Sequence, residues 1–86
     1  ELPIAGLMEE DLHFSVAPNP FTSSIDIRSD EKMESIKVID ITGKVVKSIN
    51  AENKFTSIDL SNLVNGSYMI VVRANNSVST KRIVKN

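Results

Sequence analysis

The histidine inventory of this 86-residue chain is a single imidazole, His13, flanked at two-residue spacing by Asp11 and Ser15. On an extended strand such residues share a face, so the trio has the types of a base-and-nucleophile relay or of a metal site. Neighbours along one strand do not, however, set a nucleophile, its base and an oxyanion hole around one reacting atom. A second cluster, Asp30, Glu31 and Glu34, offers carboxylate oxygens to calcium. It lacks the oxygen spacing and turn glycine of a calcium loop, and reads as an acidic surface loop. Gly43 and Gly66 are turn glycines, since neither belongs to a glycine-rich loop opening a helix. The aromatic platforms that sugar binding uses are limited to Phe14, Phe21, Phe55 and Tyr68, most of which a core can absorb. Without cysteine there is no disulfide and no thiolate metal site. No cofactor or metal is implied, and an enzymatic reading ranks last: the chain is too small and too poor in histidine and cysteine to build a cleft with converging titratable groups.

Charge is distributed unevenly behind a net value of −1. Residues 1–40 carry nine acids against three bases, and residues 41–86 two acids against seven bases. Lys81, Arg82 and Lys85 crowd the last six residues and predict a basic terminal strand whose solvated cations guard an edge. Nucleic acid is not an expected partner, because no basic stripe is interleaved with aromatics. The longest apolar run, Tyr68 to Val72, is far shorter than the roughly 20 residues of a membrane-spanning helix, so no transmembrane segment is expected. The chain opens at Glu1 without an apolar signal segment and reads as part of a longer polypeptide.

The elements that must position these residues are strands. Isoleucine and valine dominate the apolar set, and short apolar runs recur every 8–12 residues between Asn, Ser, Gly and Pro, the spacing of an all-β sandwich or barrel. Residues 1–12, broken by Pro3 and Gly6, read as a linker, with one domain over 13–86. Strands are predicted at His13 to Ala17, Thr22 to Arg28, Ser35 to Ile41, Lys44 to Ile49, Phe55 to Leu60, Ser67 to Ala74 and Val78 to Lys85. Pro18-Asn19-Pro20 ends the first, because proline lacks an amide donor and forces its predecessor to extend, and the chain can change sheets there.

Ile39 and Ile41 fall out of phase with Ile36 and Val38, which implies burial on both faces or a bulge. Thr42-Gly43 supplies a hairpin turn, the corner Ser61 to Gly66 drops Leu63 onto the core, and Asn75-Asn76 reverses the chain. The strand at Ser67 to Ala74 is expected to be central and buried on both sides. The expected core is Ile25, Ile27, Ile36, Val38, Val45, Ile58, Leu60, Leu63, Tyr68, Ile70 and Val72.

Four motifs in order, APNPF (Ala17 to Phe21), VIDITGKVV (Val38 to Val46), IDLSNLVNGSYMIVV (Ile58 to Val72) and a closing KRIVKN (Lys81 to Asn86), resemble the type A C-terminal sorting domain of the type IX secretion system of Bacteroidetes. The likeness spans roughly residues 14–86. It is carried by Pro18, Asn19, Pro20, Asp40, Gly43, Gly66 and Tyr68, and Ala17 stands where the family often has a larger residue. The resemblance implies an immunoglobulin-like β-sandwich of about seven antiparallel strands. It also implies a non-enzymatic role: the last part of a cargo protein, read by the outer-membrane secretion machinery after the cargo reaches the periplasm and then delivered to the cell surface or secreted.

In many members a sortase-like cysteine protease removes the domain and joins the cargo to anionic surface lipopolysaccharide. Ala5 to Glu10 is then the candidate cleavage region. The family's recognition determinants imply translocon recognition by Lys81, Arg82, Ile83, Val84, Lys85 and Asn86.

Physically, a terminal edge strand with unpaired backbone groups suits capture by strand addition or through its carboxylate. Removing Arg82 to Asn86 is expected to leave much of the sandwich folded while stopping export. The alternative is an immunoglobulin-like adhesive or ligand-binding module with its determinant on loops such as Ser29 to Glu34. A homodimer through edge strands is compatible with either.

Overall fold

The computed structural model describes residues 13–75 and 77–86. The expected linker at 1–12, the candidate cleavage region and Asn76 lie outside the described residues. Seven strands are formed: β1 (Phe14–Ala17), β2 (Ser24–Ser29), β3 (Ser35–Ile39), β4 (Val45–Asn50), β5 (Phe55–Asp59), β6 (Gly66–Ala74) and β7 (Ser77–Lys85). They make two antiparallel sheets, β1-β2-β5 and β4-β3-β6-β7, with no helix among the described residues. This is an all-β sandwich, one of the two architectures that the strand spacing allows and the one that the resemblance implies.

Alternation fixes which side chains meet between the layers. β2 follows a strict exposed–buried pattern, with Ile25 and Ile27 fully buried. Ile36 and Val38 of β3 and Ile70 and Val72 of β6 oppose them from the other sheet. Fully burying one such side chain stabilises the fold by about 1.5–3 kcal/mol relative to leaving it in water. A one-residue slip in any of these strands would turn the apolar set outward, so the pattern also fixes register.

Several expectations are corrected. Val45 is 45% exposed and lies outside the core. The β3–β4 pairing shifts register between Val38 and Ile39, and this irregularity sets Val45 opposite Ile39 on the outer side, leaving Val46 to pack against the core. The extra residue of this shift, Val46, is on β4, while β3 keeps an unbroken register with β6; Ile39 therefore alternates onto the outer face, where it is half-buried, and Ile41 is outside β3 and 84% exposed. β6 is central, between β3 and β7, but is not buried on both sides: Met69 is 42% exposed and Val71 half-buried. Leu63 is half-buried against the core.

The sequence pattern does not reveal Phe14, Phe21, Met33, Ala51, Ala74 and Ile83, all of which are buried. Met33 stands alone in a polar loop, where no periodicity can announce it. Between β1 and β2, where the Ala17-Pro18 and Asn19-Pro20 peptide bonds are cis, the chain leaves the three-stranded sheet, and Phe21 forms a parallel bridge to Lys85 of β7.

Candidate recognition site on the last strand

β7 is a rim strand of the four-stranded sheet, paired along its length with β6 from Gly66↔Lys85 to Ala74↔Ser77. Its side chains alternate between two roles. Ile83 points between the layers and is fully buried, while Arg82 is exposed and Val84 half-buried on the outer face. Lys81 is exposed at the rim, its ammonium 5.5 Å from the centre of the Phe14 ring, within cation–π range.

Lys85 departs from the expected solvated cation. It is only 8% exposed, and its Nζ donates to the carbonyl oxygens of Leu63 at 2.6 Å and Ser61 at 3.2 Å. A buried ammonium needs such acceptors, and these carbonyls belong to the corner between β5 and β6. The same corner receives the Tyr68 hydroxyl, which donates to the Val64 carbonyl at 2.5 Å. A tyrosine early in a strand that bonds backbone a few residues upstream is a hallmark of immunoglobulin-like sandwiches.

The free rim of β7 is largely closed over its second half. Asn19 uses both ends of its amide, with Nδ2 donating to the Arg82 carbonyl at 3.1 Å and Oδ1 accepting from the Val84 amide at 3.0 Å. Phe21 continues the clasp, its amide donating to the Val84 carbonyl and its carbonyl accepting from the Asn86 amide, both at 2.9 Å. Backbone groups at 82, 84 and 86 point away from β6, so by alternation those of Val78 and Thr80 do too. Among the described residues these two have no partner on that side. The expected terminal edge with unpaired backbone groups is thus narrowed to an open stretch at 78–80, followed by a clasped one.

Of the remaining motif residues, Pro18 and Pro20 are exposed on either side of Asn19. Asp40 organises the β3–β4 turn: its Oδ1 accepts from the Thr42 hydroxyl at 2.6 Å, the Thr42 amide at 2.9 Å and the Lys44 amide at 3.1 Å. The hydroxyl bond first, and then the amide bond from Lys44, hold this carboxyl below its ordinary value. Gly43 has φ +92° and donates to the Asp40 carbonyl, a backbone state that a Cβ would strain. Gly66 opens β6 with φ +150°. Among these motif residues the side-chain hydrogen bonds to β7 come from Asn19, and Tyr68 stands opposite Ile83 in the β6–β7 pairing.

The other candidates do not converge with β7. His13 is exposed at the start of β1, and its carbonyl accepts from the Asp30 amide. Glu31 bonds to the Asn75 side chain, and the Glu34 amide is committed to the Arg73 carbonyl. Phe55 is the one candidate aromatic left substantially exposed, with Arg28 stacked over it at 4.7 Å. The expectation that removing Arg82 to Asn86 leaves much of the sandwich folded meets a structural cost, because the deletion would take Ile83 out of the core and Lys85 out of its corner. Sequence reasoning missed the clasp. Its only advance signal was the apolar Phe21 directly after the second proline.

A search of curated proteins finds no match. The family model described as the secretion system C-terminal sorting domain matches residues 15–86, from the second residue of β1 to Asn86. That interval contains both sheets except Phe14, the Asn19–Phe21 clasp and the whole of β7. With most of its length matched, the chain belongs to the C-terminal sorting domain family of the type IX secretion system.

Proposed function

We propose that this domain is the sorting tail of a cargo protein and that the secretion machinery of the outer membrane reads it at its last strand, through Lys81, Arg82, Ile83, Val84, Lys85 and Asn86. The observation that carries the reading is the family match across the entire sandwich, joined to the position of β7 at the rim of the larger sheet. Within that strand the residues divide the work. Ile83 and Lys85 anchor the strand to the core and the corner, and Lys81, Arg82 and Val84 are the side chains left for a partner. The cargo meets the machinery in the periplasm and ends at the cell surface or outside the cell. A sortase-like cysteine protease then severs the chain within Ala5 to Glu10. Two copies pairing through β7 would have only the stretch at 78–80 available unless the clasp opened.

The test fuses residues 1–86 behind a periplasm-directed fluorescent protein in a bacterium that has the machinery and in the same strain lacking it. Surface fluorescence only in the first strain is the expected result, with new N-termini inside Ala5 to Glu10 in mass spectra of released tails. Equal surface fluorescence in both strains would overturn the sorting role and favour an adhesive module. An intact tail on delivered passenger would overturn cleavage alone.

A further inference from the structure

The two sheets differ in charge in a way that the sandwich itself does not require. β3, β4, β6 and β7 contain six bases and not one acid, whereas β1, β2 and β5 contain two acids and one base. Pairing places Val45, Ile39, Met69 and Arg82 in one row across all four strands. The following rows are Lys37, Val71 and Thr80, and then Ser35, Arg73 and Val78. Since Met69 is exposed and its neighbours Tyr68 and Ile70 are buried, these rows form the outer face.

Lys37, Arg73 and Arg82 are its charged side chains, all exposed, and between them Ile39, Val71, Val78 and Val84 are half-buried. A depression of about 520 Å³ opens at one end, lined by the 84%-exposed Ile41 together with Ile39, Met69 and Arg82. One acid, Asp40, borders it, and its Oδ1 is already occupied by Thr42 and Lys44.

We infer that this outer face of the four-stranded sheet is a docking surface for a protein partner that presents aspartate or glutamate side chains around an apolar centre. The inference rests on the proposed reading of β7 and specifies the chemistry of the partner. Charge complementarity selects acids, because an approaching cation would meet only like charge on the strands. The apolar side chains favour a protein over a membrane: the exposed Ile41, Val45 and Met69 are not aromatic and lie among Lys37, Arg73 and Arg82, so no aromatic anchors the face at a headgroup boundary, while a facing protein can fill the depression that Ile41 and Met69 line. The clasp points the same way. With the rim of β7 closed at 82–86, the second half of the strand presents Arg82 and Val84 to a partner, and both belong to this face.

The test places a photo-crosslinking benzoylphenylalanine at Met69, at Ser57 on the outer face of the other sheet, or at Asn86, in the full chain fused to a passenger and expressed with the machinery. The expected result is an adduct from Met69 to a machinery protein, mapped to a peptide rich in Asp and Glu, and none from Ser57. The paired charge reversal Lys37→Glu with Arg73→Glu, both exposed and off the last strand, should cut the Met69 adduct about ten-fold or more without altering the melting curve. Adducts from Asn86 without any from Met69, adducts from Met69 to lipid alone, or an undiminished adduct after charge reversal would each overturn this docking face while leaving the reading of the tail in place. No adduct from either Met69 or Asn86 would overturn both.

Discussion

Asp40 shows how one carboxylate oxygen reinforces a turn that two backbone hydrogen bonds, Asp40 amide to Lys44 carbonyl and Gly43 amide to Asp40 carbonyl, already close. Its acidity is strengthened first by the Thr42 hydroxyl and then by the Lys44 amide. Because the folded value lies below the ordinary 3.8, the native state takes up this proton less readily than the unfolded chain. The stabilisation is therefore complete above that ordinary value and is lost as pH falls through the lower folded one. The melting temperature of the wild-type domain should fall more steeply on acidification below pH 3.8 than that of Asp40→Asn. Parallel curves from circular dichroism melts would contradict the assignment.

Lys85 poses the opposite case, a cation withdrawn from water and satisfied by two carbonyls. Hydrogen bonds to charged groups contribute about 1.5–3 kcal/mol, so Lys85→Met, which keeps most of the stem, should lose about that much in urea unfolding. No loss would mean that the corner is held by Tyr68 and its hydroxyl without help.

Among the elements, strand existence was legible in the sequence because the alternation in β2, β3 and β6 is strong, and turn chemistry at Gly43 and Gly66 agreed with it. What was not legible depended on partners distant in sequence. Val45 has the type of a core residue, but a register shift against β3 turns it out. Lys85 has the type of a surface residue, but the β5–β6 corner lies over it. Asn19 reads as a turn residue between prolines, and nothing local announces that it bridges to residues more than sixty positions away.

That bridge has a measurable consequence. In Asn19→Ala the Val84 amide loses its acceptor, and with each such bond contributing about 0.5–1.5 kcal/mol, its hydrogen exchange should accelerate by about ten-fold, while the Ile70 amide in β6 keeps its protection. Unchanged exchange at Val84 would show that Phe21 alone holds the rim. Ile83→Ala should cost about 2–5 kcal/mol in the same urea assay, since it empties a fully buried site. A loss under 1 kcal/mol would mean that β7 contributes little to the core.

For the molecule as a whole, two tasks are divided, in the proposed reading, between the inner and outer sides of the sandwich. Residues that face inward, together with Lys85 and the clasp, hold β7 in place, and residues that face outward from the larger sheet are free to meet a partner. A small domain has little stability in reserve, so damage to the inner set would unfold the tail and confuse loss of recognition with loss of structure. Deleting the last five residues does that damage. Changing exposed side chains of β7 does not.

The most direct measurement is therefore surface delivery of a fluorescent passenger carrying the folded tail with Lys81→Glu and Arg82→Glu. Both positions are exposed, so the variant should stay folded, losing at most about 0.5–1 kcal/mol from an exposed cation–π contact at Phe14, while delivery in the machinery-bearing strain falls about ten-fold or more. A folded variant delivered at the wild-type level would contradict recognition through the last strand.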